Sequence, residues 1–156
     1  MQAKCLFCLS RKHLIMNLNI EEAFNVAVDF LDKFYKQNKS DDFGSFLGDL
    51  LLFEDGSTAD PAAWWDWLAS VNKIKKQYKM GKEHEDVDFT LKQAYEVAED
   101  FFNRFCEEIS SDDFRILLKE MALLEDEKST NPICWKEWVD SANKIKQLGD
   151  EAGIMF

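Results

Sequence analysis

The chain has 156 residues, 46% of them hydrophobic, with 13 Phe and 5 Trp, a composition that folds and does not stay disordered. Its formal net charge of −11 denies it the basic surface that a phosphate backbone requires, so nucleic acid is not expected as a partner. No apolar run approaches the roughly 18 residues of a membrane span, and no membrane partner is expected either.

The charge is uneven. Residues 1–16 carry three Lys/Arg and no acid, residues 17–80 a net of −4 and residues 81–156 a net of −10. Such a surface suits a basic partner, and it equally keeps a small protein soluble.

The leader 1–16 holds Cys5-Leu-Phe-Cys8, which has metal-ligand spacing. There is no second CxxC, and His13 is the only other nearby ligand type, so neither zinc nor redox chemistry is expected. Arg11 and Lys12 interrupt the apolar stretch too early for a secretion signal. The patterned part of the chain begins just after Met16, so translation is expected to start there and the leader to be dispensable.

Asn19 caps a first helix, with Glu22 in the capping-box position. Ile20, Ala23, Phe24, Ala27, Phe30, Leu31 and Phe34 recur at spacings of three and four, one apolar stripe, and the helix ends near Gln37. Ser40 caps a second, shorter helix whose first turn carries Asp41 and Asp42, favourable to the helix dipole. Phe43, Phe46, Leu47, Leu50 and Leu51 form its buried face. Glu54-Asp55-Gly56 opens a polar loop, and Asp60-Pro61 starts a third helix that buries Trp64, Trp67, Leu68, Val71 and Ile74. Gln77–Asp88 reads as a polar linker.

The pattern then starts again. Thr90 and Gln93 form a capping box, and Leu91, Ala94, Tyr95, Ala98, Phe101, Phe102 and Phe105 form the stripe of a helix ending near Glu108. Ser111 caps a helix that buries Phe114, Leu117, Leu118, Met121 and Ala122. After the loop opened by Glu125-Asp126-Glu127, Asn131-Pro132 starts a helix that buries Trp135, Trp138, Val139, Ala142 and Ile145. The tail from Gly149 is expected to be loose, with Ile154, Met155 and Phe156 free to dock on a neighbour.

The second series is the first repeated 71 residues on without a gap: about 22 of the 60 positions from Asn17 to Lys76 match their counterparts. No segment alternates with period two, so no strand is expected. The expected fold is all-α, a tandem duplication of a three-helix module forming a six-helix bundle. It divides into leader 1–16, first repeat 17–80, linker 81–87, second repeat 88–148 and tail 149–156. Each repeat is near the lower size limit for a self-sufficient core, so the two are expected to pack as one unit. Tyr35 and Ala63 stand where the second repeat has Cys106 and Cys134, so the repeats share no disulfide framework. A reducing, cytoplasmic location is expected.

Chemistry-bearing groupings are few. The acidic pairs Asp41-Asp42, Glu54-Asp55, Asp112-Asp113 and Glu125-Asp126 are oxygen ligands by type. Neighbours on a helix nevertheless diverge by about 100°, and capping accounts for the two serine-led pairs. His13 and His84 lie in polar, non-periodic stretches with no nucleophile placed near them. Cys106 reads as a small core residue, and no Gly-rich phosphate loop is present. No catalytic, cofactor-binding or metal-binding residue is assigned. Trp65 stands apart: its counterpart is Lys136, and it falls beside the buried stripe. It either anchors a partner or packs between the repeats.

The stretch S-D-D-F-G-S-F-L-G-D-L-L-L-F-E-D-G-S-T-A-D-P-A-A-W-W-D-W-L from Ser40 resembles small, acidic, helical bacterial immunity proteins of polymorphic toxin systems. The resemblance spans both repeats and implies a protein that binds and neutralises a toxin and carries no catalytic residues. The second repeat departs from it, with Arg115 for Gly44 and Glu127-Lys128 for Gly56-Ser57, so it is either an altered binding face or a structural partner. The expected function is a non-enzymatic protein-binding module, an immunity protein facing a basic toxin. The expected contacts are Trp65 and the exposed acids Glu96, Glu99, Glu107 and Glu108. The alternatives are a metal-dependent enzyme with a carboxylate site between the repeats, and a structural or regulatory helical protein. Monomer and homodimer both stay open.

Overall fold

The structure, a computed structural model, describes residues 16–83, 85–124 and 129–155, with only the helical backbone described for residues 150–155. Cys5, Cys8, His13, His84, the loop residues 125–128 and the side chains of Ile154, Met155 and Phe156 lie outside the described residues.

Helices dominate, and their ends are set by the capping residues. Asn19 and Glu22 exchange backbone hydrogen bonds at 2.8 and 3.0 Å to start α1 (Ile20–Asn38). Ser40 accepts from the Phe43 N–H at 3.3 Å to start α2 (Asp41–Asp49). Asp60 accepts from the Ala62 N–H at 3.0 Å to start α3 (Pro61–Tyr78). Thr90 and Gln93 form the second capping box, at 3.1 and 3.0 Å, for α4 (Leu91–Ile109). Ser111 caps α5 (Asp112–Met121) through the Phe114 N–H at 3.2 Å. Asn131 accepts from the Ile133 N–H at 3.1 Å at the start of α6 (Pro132–Met155). Lys39 and Ser110 end α1 and α4 in the left-handed conformation, both at φ 54°.

Three expectations need correction. A two-residue antiparallel ladder joins β1 (Asn17–Leu18) to β2 (Phe89–Thr90), with Leu18 opposite Phe89. Two residues are too few to reveal a period of two. Leu51, expected in the core, is 62% exposed, and Ala122 is also exposed. The chain has left the helix by then: the Ala59 N–H bonds to the Leu51 carbonyl, and Leu52 bridges Thr58. Finally, α6 runs through Gly149 to Met155 where a loose tail was expected. One helical glycine costs only about 1 kcal/mol and does not by itself stop a helix.

The packing crosses over. α1 lies along α6 and α3 along α4, with α1 touching α4 and α2 touching α5. The contacts recur 71 residues apart. Lys73 meets Asp100 and Lys144 meets Asp29, each at 2.8 Å. Trp67 donates its indole N–H to the Ile20 carbonyl at 3.2 Å, and Trp138 donates to that of Leu91 at 3.0 Å. The Trp67 ring meets Phe101 at 5.2 Å and Trp138 meets Phe30 at 5.6 Å. Phe43 meets its own counterpart Phe114 edge to face at 4.7 Å. Together with Phe24, Phe46, Tyr95 and Phe102 these rings form one continuous core.

The polar contacts at this seam are unequal. Arg104 shares its Nε–H between Asp100, at 2.9 Å, and the Ser70 hydroxyl, at 3.0 Å. Lys33 stands where a second arginine would, and it meets Glu137 at 3.3 Å and Asp29 Oδ2 only at 3.9 Å, beyond hydrogen-bond distance. Asp29 Oδ2 and Ser141 Oγ, the counterparts of the atoms Arg104 ties, are buried without a hydrogen bond.

Candidate functional site

Proline and Asp60 fix the first turn of α3, and the helical twist then separates its tryptophans. Trp64 and Trp67 turn inward onto Phe24, at 5.3 and 5.5 Å between ring centroids. Trp65, one residue and about 100° away, is 69% exposed. Of the two readings open for Trp65, the surface position is the one observed.

Beneath it is an open cavity of about 1000 Å³. Trp64, Trp65 and Leu68 form one wall, Glu21 stands at the rim, and Glu83, Glu85, Asp86 and Asp88 form the other wall. That second wall is the stretch expected to be a plain linker. It is shaped by Lys75, which is only 3% exposed and donates its ammonium to the carbonyls of Lys82, at 2.6 Å, and Glu85, at 2.7 Å. Gly81 sits at φ +86°, where a side chain would be strained, and a Cβ there would stand 2.6 Å from the Glu85 carboxylate. The loop is folded onto α3 as a wall. Sequence reasoning missed Lys75, although it lies four residues after buried Val71 and so on the buried stripe.

None of the four glutamates expected beside Trp65 lines this cavity. Glu96 accepts the Tyr78 hydroxyl at 2.5 Å and the Gln77 amide at 3.5 Å. Glu99, expected to be an exposed acid, is half-buried, and its carboxyl is pushed up to about 8, first by loss of solvent and then by the neighbouring Glu96 charge. Glu107 and Glu108 are exposed, and Glu107 accepts from Asn103 at 3.3 Å. The four glutamates thus share α4, with Glu96 and Glu99 close together, and are not gathered with Trp65 around its cavity.

A second groove, of about 720 Å³, runs between α1, α2 and α6, lined by Val28, Leu47, Leu51, Ile145 and Leu148 and ending at Gly149. The matching positions on α3 and α4 hold Tyr78 for Gly149 and Glu96 for Asn25, the pair already joined by a hydrogen bond.

Burial pushes the Cys134 thiol up to about 12 and the Tyr95 phenol higher still, and Tyr95 donates to the Met121 carbonyl at 2.6 Å. Cys106 and Cys134 are free and buried. Among the described residues no three His, Cys, Asp or Glu side chains converge as metal ligands, and no helix is long and apolar enough to cross a membrane. Comparison with protein-family models, with curated proteins and with solved structures finds no match to the chain.

Proposed function

We propose that the chain is a non-enzymatic binding module for a basic protein, built as a fused pair of three-helix halves (17–80 and 88–148) in one six-helix bundle. The carrying observation is where the ion pairs lie. Lys73–Asp100, Lys144–Asp29, Lys146–Glu22 and Lys33–Glu137 tie α3 to α4 and α1 to α6, so these cations are neutralised by the chain's own acids. Glu21, Glu83, Glu85, Asp86, Asp88, Glu107 and Glu108 are exposed and form no ion pair among the described residues, and with a net charge of −11 they offer acidic surface to a basic partner. The crossed, reciprocal contacts support the fused-pair reading: residue i meets j while the counterpart of j meets that of i, as in a two-fold dimer. A cytoplasmic immunity protein that occludes a basic toxin fits this surface, because occlusion needs complementarity and no chemistry.

The test is capture of the tagged protein's partners at low and moderate salt, with light scattering of the free protein. A monomer that retains one stoichiometric basic partner, released by salt, is expected. No partner at either salt would reject the binding reading, and an association rate indifferent to salt would reject its electrostatic part.

A further inference from the structure

We infer that the cavity under Trp65 receives one cationic side chain, arginine in preference to lysine, presented by a peptide segment of the basic partner. The inference rests on the binding reading above and adds the chemistry of the contact.

Three features define the occupant. First, the exposed Trp65 indole lines the cavity, and a cation over tryptophan is attracted by the ring quadrupole. Second, the lining includes five acidic residues, Glu21, Glu83, Glu85, Asp86 and Asp88, none of them in an ion pair among the described residues. Among the described residues the one cation in the lining is Lys75, whose ammonium is turned to two backbone carbonyls. An anion is therefore repelled and a neutral group has nothing to neutralise. Third, the wall is held in place before any partner arrives, by the Lys75 clamp and the left-handed turn at Gly81. A planar guanidinium can stack on the indole and hydrogen-bond a carboxylate edge-on together, and it surrenders its hydration more readily than an ammonium. A cavity of about 1000 Å³ exceeds one side chain, so it takes the flanking peptide as well. The site is single, because Lys136 occupies the position of Trp65 in the other half and would repel the same ligand.

The experiment is a titration of the full ¹⁵N-labelled chain with three short blocked peptides, identical except for a central arginine, lysine or citrulline, the last being a neutral isostere of arginine. The Trp65 indole signal is assigned by its loss in Trp65→Phe. The expected result is movement of that signal and of the 85–88 amides with the arginine peptide, weaker movement with lysine and none with citrulline. Trp65→Ala should weaken the arginine peptide about tenfold while the indole signals of Trp67 and Trp138 stay in place, which shows the fold intact. Equal response to all three peptides, no response to arginine, or movement centred on Glu107 and Glu108 would overturn the inference. If Trp65→Ala still captures a basic partner undiminished, the cavity assignment falls and the binding reading stands.

Discussion

Gly44 lies directly beneath the Tyr35 ring, so close that a Cβ at Gly44 would stand 2.9 Å from Tyr35 Cε1. At the positions 71 residues further on the sizes are exchanged: Cys106 stands for Tyr35 and Arg115 for Gly44. The Gly-to-Arg departure is thus one side of a paired change in packing. Gly44→Ala should destabilise by about 1 kcal/mol despite alanine's better helix propensity. In a Tyr35→Cys background the same change should stabilise by about 0.5–1 kcal/mol. Urea unfolding of the four proteins gives the coupling directly, and an additive cycle would show the two positions to be independent.

Lys33→Arg should raise stability by about 1 kcal/mol. Arginine at this position can reach Asp29 and Ser141 as Arg104 reaches Asp100 and Ser70, giving hydrogen bonds to two buried oxygens that have none. The lost Lys33 contacts, to the Glu137 carboxylate and carbonyl at 3.3 Å each and to Asp29 at 3.9 Å, offset part of this gain. Thermal denaturation is the check, with Lys33→Met as the control that cannot donate.

Glu99 makes stability fall as pH rises. Its carboxyl has an ordinary value of 4.5 and sits near 8 in the folded chain, so the folded state holds the proton more tightly. That contribution is complete below 4.5 and is lost as pH climbs through about 8. Glu99→Gln should leave stability at pH 5 nearly unchanged and raise it by about 2 kcal/mol at pH 9, after allowance for solvent reaching a half-buried group. Urea unfolding at the two pH values decides it, and a parallel pair of curves would exclude a shifted Glu99.

Ser40 donates to Asp113 and Ser111 donates to Asp42, each at 2.5 Å, while each hydroxyl also caps its own helix. Ser40→Ala and Ser111→Ala should each cost about 2 kcal/mol, the sum of a cap and a charged hydrogen bond less the exposed share. Equal losses in denaturant midpoint are expected. A loss confined to one of them would mean that the two environments are not equivalent.

Much of this arrangement is written locally. The capping pairs Asn19–Glu22 and Thr90–Gln93 and the Asp60-Pro61 start mark the helix beginnings because each is settled within four residues. The crossing of α3 onto α4 is not local: α1 and α4 carry the same stripe, so periodicity cannot say whether Trp67 meets Phe30 or Phe101. Trp65's exposure follows from its angle beside Trp64, but the wall facing it comes from a loop with no period, folded by one buried lysine. Glu99 carried a signal in its apolar counterpart Val28, which marks the position as half-sheltered. What shelters it is distant in sequence, near Cys134.

The antiparallel run of α1 along α6, from Lys33–Glu137 to Glu22–Lys146, has a topological consequence. It brings the end of the last helix back to the side of the chain where β1 begins. The ten residues 79–88 bridge the same gap between α3 and β2. A short connector from α6 to β1 would therefore close the polypeptide into a ring, and the ring could be cut anew within 79–88 without disturbing a contact between two helices. A chain so permuted should keep its core and lose only the wall that faces Trp65.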